Sequence, residues 1–156
     1  MLALERTMGI AKVVRLDLGD QQYVIDIRDI LEIIFYRPSV PVPHAPSCLQ
    51  GVIDLRGVVI PLIDLRERLG ISAPARGVPA HILIVRLGDG AVGLVVDSVR
   101  EVLEVEPGAV QVPDAASASG RALFRAVCRV HDQLLLLVDV DRLVSSEERK
   151  ALAEVL

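Results

Sequence analysis

The sequence predicts an all-β, mainly β fold, a barrel or a pair of small barrels, and three observations carry that expectation. Nine or ten short runs rich in Val, Ile and Leu follow one another at close spacing, punctuated by Gly, Asp and Pro. Only two or three stretches have helical periodicity, and no strand–helix–strand alternation runs through the chain. Hydrophobic residues fill 52% of the 156 positions but aromatics only 3%, with no Trp, so aliphatic side chains form the core. This length suits one domain with a substantial core. Residues 1–12 read as a flexible N-terminus and 13–156 as the domain.

Val13 to Leu18 alternates, LGDQQ (18–22) is a hairpin turn, and Tyr23 to Ile27 returns as a strand. The period then changes. Ile27, Ile30, Leu31 and Ile34 recur at helical spacing behind Asp26 or Asp29 as N-cap, which predicts a short amphipathic helix. Ile33 falls on another side, so that helix is apolar around much of its girth, either sandwiched between barrels or exposed as a binding ridge. PSVPVPHAP (38–46) holds four prolines and makes a stiff extended connector.

The stretch 50–70 repeats one pattern, VIDLRG at 52–57 and LIDLRE at 62–67. Val52, Ile53, Val58, Val59, Ile60 and Ile63 favour strands, and Gly57 suits the turn between them. Pro61 belongs at a sheet edge or kink. RERLG closes as a helical turn stopped by Gly70. After a polar loop (72–79), His81–Leu87 and Ala91–Val96 flank the hairpin turn LGDG, and Val99, Val102, Leu103 and Val105 mark one more strand. PDAASASGRA (113–122) reads as a variable loop. Phe124–Val130 and Leu134–Val140 form a last hairpin over HDQ, its second arm so aliphatic that burial on both faces is expected. A C-terminal helix opens on a Ser145–Glu148 capping box, with Leu152 and Val155 or Leu156 as its anchoring stripe.

A net charge of −4 with both signs interspersed argues against nucleic acid or an anionic membrane as partner. No run reaches the ~18–20 apolar residues that would cross a bilayer. Glu5 and Arg6 interrupt any apolar signal core, so a cytoplasmic protein without direct membrane insertion is expected. Cys48 and Cys128 are isolated and read as reduced thiols. Asp54 and Asp64 can be imagined as an acid–base pair, but each has an Arg two residues on, as structural cross-strand pairs do. His44, His81 and His131 are scattered without metal-ligand spacing. Ser117, Ser119, Ser145 and Ser146 lie in a loop or a cap, with no nucleophile elbow. No catalytic, cofactor-binding or metal residue is therefore expected. What remains is surface, with Arg56 beside Gly57 its most distinctive polar feature.

These residues resemble the CheW-type chemotaxis coupling proteins. The family's aromatic strand followed by ID-x-x-x-V-x-E-I is matched by YVIDIRDILEII (23–34), and its proline connector by VPVPHAP (40–46). The signature GV-I-N-LRG-x-IP-x-x-DLR is matched by GVIDLRGVVIPLIDLR (51–66), of which Gly51, Val52, Asp54, Leu55, Arg56 and Gly57 form the central motif. GLVVDSVREVL (93–103) and LLLLVDVDRLV (134–144) match the later segments. The resemblance implies two intertwined five-stranded SH3-like β-barrels, a short inter-barrel helix, a C-terminal helix and no catalysis. It implies an adaptor that couples the cytoplasmic tip of a methyl-accepting chemoreceptor to the CheW-like regulatory domain of a CheA-type histidine kinase. Carried over by position, Val14, Ile27, Ile30, Ile33, Val99 and Val102 line a receptor-binding groove flanked by Glu32, Gly51 and Arg56. An aliphatic cleft of that kind suits an amphipathic helix. Kinase docking falls near the proline connector and the 81–90 hairpin. Two departures stand out: Asp54 replaces the usual Asn and is placed to hold Arg56, and Ala126 replaces a usual Gly. The Asp54 departure also motivates an alternative, a modulator that competes for receptor or kinase without coupling them.

Overall fold

The computed structural model describes residues 7, 9–71, 77–112 and 123–155. Among the described residues eleven strands form two sheets. They are β1 (Lys12–Leu18), β2 (Gln21–Asp26), β3 (Ile30–Phe35), β4 (Gly51–Leu55), β5 (Val58–Asp64), β6 (His81–Leu87), β7 (Gly90–Val96), β8 (Ser98–Glu104), β9 (Val110–Gln111), β10 (Phe124–Val130) and β11 (Gln133–Val138). The first sheet runs β8-β1-β2-β11-β10-β9 and the second β3-β6-β7-β5-β4. The two-residue β9 brings the first sheet to six strands where the family likeness implied five.

Chain order explains the interlocking. The chain starts in the first sheet, crosses to the second at Asp26, and returns through the β7–β8 corner at Asp97. Three apolar clusters result. Val13, Val24, Cys128, Leu135 and Leu137 fill the first sheet's interior, and Ile53, Ile60, Leu62, Ile82 and Ile84 fill the second's. The largest cluster lies between them and draws Leu16, Leu18 and Ile25 from one sheet and Leu83, Val85 and Leu94 from the other. Strands β2 and β6 therefore bury both faces, one into a barrel interior and one into the shared core. That is why HILIVRL reads as a continuous apolar run rather than an alternating one.

The predicted helix over 27–34 is not there. Asp26 caps a single 3₁₀ turn, Ile27–Asp29, by accepting the Arg28 N–H at 3.0 Å, and Ile30 is already extended. Ile30–Phe35 then pairs with β6 as an edge strand. Three isoleucines and a phenylalanine in six residues fit a pleated strand once a ladder partner is available, and that overrides the helical spacing.

The expectation for β11 also needs correction. Leu135 and Leu137 are interior, but Leu134 and Leu136 are exposed, so the arm alternates and is not buried on both faces. Its turn, His131–Asp132, has both residues at positive φ, as a two-residue hairpin turn requires. Pro61 sits inside β5 without cost. Its partner Val52 directs both backbone polar groups away to Val40, and β5 pairs with β7 only from Leu62 onward. Ala126 adopts no positive φ; a β-bulge between Phe124 and Ala126 absorbs the local irregularity.

Asp64 caps the one-turn helix Leu65–Arg68, which ends at Gly70 with φ 72°. The C-terminal helix Ser146–Val155 opens on the expected capping box: Ser145 N–H donates to Glu148 Oε1 at 2.9 Å, and Glu148 N–H to Ser145 Oγ at 3.1 Å. Leu152 anchors it in the shared core. The readings of 72–76 within the polar loop, of 113–122, of Leu156 and of most of the N-terminal segment lie outside the described residues, as does the side chain of Val155.

Candidate functional site

The exposed apolar side chains concentrate on β3, at the edge of the second sheet. Leu31, Ile33 and Phe35 are exposed along β3 while Ile30, Glu32 and Ile34 are half-buried. A register shift between Ile30 and Glu32 breaks the alternation, so Ile30, opposite Val85, shares the face of Ile33 and Phe35, opposite Leu83 and His81, whereas Glu32 and Ile34 take the other face. Phe35 is 82% exposed, a large apolar ring left open to solvent beside Ile33 and Leu31. Its ring stacks on His81, centroids 5.7 Å apart. His81 Nδ1 in turn accepts the Val99 N–H at 3.0 Å, which links β3 and β6 to the start of β8, the edge of the first sheet. Val102 is exposed three residues further along β8.

The β4–β5 turn meets β3 at Glu32, on the strand's other face. Arg56 and Gly57 have φ of 51° and 87°, the pair of positive values a tight hairpin needs. Asp54 closes the turn by accepting the Gly57 N–H at 2.8 Å. The Arg56 guanidinium then reaches Glu32, with Nη2 at 2.7 Å from both carboxylate oxygens. The predicted Asp54–Arg56 pair is thus replaced. Asp54 serves the backbone, and Glu32 takes the Arg. A carboxylate within reach of a turn N–H two to three residues on satisfies it first. Arg37 donates to the Asp54 carbonyl at 2.7 Å, blocking part of the outer edge of β4.

The structure separates the nine groove residues inferred from the sequence into two groups. Ile27, Ile30, Glu32, Ile33, Arg56, Val99 and Val102 reach the surface. Val14 and Gly51 do not. Val14 is 1% exposed, lying opposite Val102 and Ile25 in the ladder. Gly51 is buried beneath the proline connector, and a Cβ there would stand 2.3 Å from Ser39 Oγ and 2.8 Å from the Val40 carbonyl. Both shape the surface from below. Leu31 and Phe35 join these exposed residues: helical spacing sets Leu31 on one stripe with Ile27 and Ile30 and leaves Phe35 outside the pattern, and the edge strand exposes both beside Ile33. Val52 and Leu55 of the motif are half-buried, and Leu55 packs on the second sheet's core.

A second apolar surface is an open depression of about 540 Å³ between the β4–β5 hairpin, the β6–β7 turn and the C-terminal helix. Val58, Val59, Pro61, Leu87, Ala91 and Leu152 line it. The polar residues once considered for chemistry have structural partners instead: Asp64 accepts the Arg66 N–H at 3.0 Å and His81 the Val99 N–H. Among the described residues no group of His, Cys, Asp and Glu could hold a metal ion, and no helix is long and apolar enough to cross a membrane.

Two interlocked barrels that expose aliphatic edges around an Arg–Glu pair define a protein-interaction module. Comparison with known proteins says which. Residues 12–148 match the family model of the CheW-like domain. The chain is 36% identical over 146 residues to a chemotaxis protein CheW of Rhizobium meliloti (strain 1021), covering 93% of this chain and 94% of that one. It is 31% identical to the chemotaxis protein CheW of Klebsiella aerogenes, over 84% of this chain and 80% of that one. Among solved structures, the scaffolding protein TtCheW of Thermoanaerobacter tengcongensis superposes with a TM-score of 0.79 at 27% identity, covering 88% of this chain and 94% of that one. The chain belongs to the CheW-like family, and its function is that of a chemotaxis coupling adaptor.

Proposed function

We propose that this protein is a non-enzymatic adaptor with two docking surfaces, one for the helical cytoplasmic tip of a chemoreceptor and one for the CheW-like regulatory domain of a histidine kinase. The exposed side chains of Leu31, Ile33 and Phe35, on the edge strand whose other face holds the Arg56–Glu32 pair, carry the reading. An amphipathic helix laid along it buries apolar side chains at helical spacing, and Arg56, 70% exposed although paired with Glu32, can donate its other N–H groups to the polar flank. Ile27, Ile30, Val99 and Val102 extend the groove, with Val14 and Gly51 supporting it from beneath.

The depression around Val59 and Leu152 supports the kinase contact. It lies on the far side of the 81–90 hairpin from His81 and contains the β6–β7 turn. Residues 13–156 act as one unit of two sub-barrels, working in the cytoplasm within a receptor array. Nothing favours the competing-modulator alternative, since the Asp54 carboxylate that motivated it leaves Arg56 to Glu32.

Titration of a labelled receptor-tip helical hairpin, together with co-purification of the kinase regulatory domain, tests the assignment. Ile33→Glu is expected to weaken receptor binding by more than about tenfold while leaving kinase binding intact, and Val59→Glu to do the reverse. If the folded wild type binds neither partner at micromolar concentration, the reading fails.

A further inference from the structure

His81 is the one histidine built into the junction of the two sheets. The chain leaves the second sheet at Val96, which lies opposite His81 in the β6–β7 ladder, and enters the first at Ser98. Ala80, just before β6, and His81, its first residue, hold that corner. Ala80 N–H donates to the Asp97 carbonyl at 2.9 Å, and His81 Nδ1 accepts the Val99 N–H at 3.0 Å. The same imidazole stacks on Phe35. One ring therefore touches both edges of the groove, Phe35 on β3 and Val99 on β8.

We propose that His81 is a positioning residue that fixes the β7–β8 corner and thereby the spacing of Phe35 and Val99, so that receptor binding depends on its neutral ring. The proposal rests on the assignment of this groove to the receptor. An imidazole accepts at Nδ1 only when its proton sits on Nε2; once both nitrogens are protonated, the Val99 N–H faces another donor and the bond is lost. The ionisable groups on the surrounding elements have other partners or lie away from the ring. On β3, Glu32 binds Arg56. β7 carries no titratable side chain. At the corner, Asp97 accepts the Gly19 N–H and faces Arg66. On β8, Arg100 binds Asp17 and Glu101 binds Arg15, while Glu104 lies at the far end opposite Lys12. On β6, Arg86 lies at the far end opposite Ala91. Protonation of His81 thus finds no carboxylate partner among these groups and acts on the Val99 bond.

The experiment compares wild type, His81→Asn and His81→Leu by amide NMR and by titration with the receptor-tip peptide, from about pH 8 to about pH 5. Asn keeps an acceptor near the Nδ1 position but does not titrate; Leu removes the acceptor. In the wild type the Val99 amide resonance should follow the imidazole titration, and affinity should fall about fivefold on acidification. His81→Asn should bind like the wild type at the upper pH and stay there, and His81→Leu should be weak throughout. A Val99 amide that ignores the ring, full affinity in His81→Leu, or the same acid loss in His81→Asn overturns the proposal. A wild type that never binds the peptide overturns the receptor assignment, and the positioning role with it. The amide titration tells that failure apart from failure of the corner bond itself.

Discussion

Asp54 and Gly51 show how much of the coupling motif is about shape. Asp54 Oδ1 accepts the Gly57 N–H, a bond that an Asn side-chain carbonyl makes equally well. Asp54→Asn should therefore leave the urea midpoint within experimental error of the wild type, while Asp54→Ala loses about 0.5–1.5 kcal/mol, the net worth of one such hydrogen bond. At Gly51 any Cβ collides with Ser39 and the Val40 carbonyl. Gly51→Ala is expected to push the connector off β4, cost about 1–3 kcal/mol and release the Val40–Val52 bridge, which appears as faster amide exchange at both valines. Arg56 holds φ 51°, a conformation that Asn accepts more readily. Arg56→Asn should leave the urea midpoint no lower than wild type while weakening the receptor complex, so stability and binding separate at that residue.

Among the elements, the C-terminal helix depends on Glu148. That carboxylate accepts the Ser145 N–H and binds Arg68, whose guanidinium reaches both of its oxygens and the Leu143 carbonyl. Burial pushes its titration up, but the Ser145 N–H, the Arg68 charge and the Cys48 and Ser145 side chains together outweigh that and hold it below the ordinary carboxylate value. A carboxyl depressed in the folded state stabilises above its unfolded pKa and loses that contribution as pH falls through the folded value. Unfolding free energy measured from about pH 6 down to about pH 3 should therefore fall more steeply in the wild type than in Glu148→Gln. The cap, the hairpins and the one-turn helix after Asp64 were all legible in the sequence because each is set by residues a few positions apart. β3 was not. Its residues satisfy a helical wheel as well as a pleat, and the choice is made by β6, some fifty positions later. The site inherits that limit: Arg56 is readable from the motif and Ile33 from the family resemblance, whereas Glu32 as the partner of Arg56, and Phe35 on His81, depend on that pairing. The exposure of Leu134 and Leu136 escaped notice for the same reason, since composition alone does not say which sheet face has a neighbour.

The interlocking of the two barrels makes a claim about the molecule as a whole. β2 sends Val24 into the first sheet's interior and Tyr23 and Ile25 into the shared core; β6 sends Ile82 and Ile84 into the second interior and Leu83 and Val85 into that same shared core. Neither barrel can open without stripping a face from the other, so the two should unfold in one transition. Cys128 offers a probe in the first interior. It is fully buried, and burial, then the nearby Asp26 charge, push its thiol up to about 11, so the native protein presents almost no thiolate to an alkylating reagent. Labelling then reports global opening. Ile82→Ala, in the opposite barrel, is expected to cost about 2–5 kcal/mol and to accelerate Cys128 labelling by the factor that loss implies. Leu137→Ala, beside the thiol, should do the same through the same transition. Independent barrels would leave Cys128 labelling unchanged in Ile82→Ala and split the denaturation curve in two.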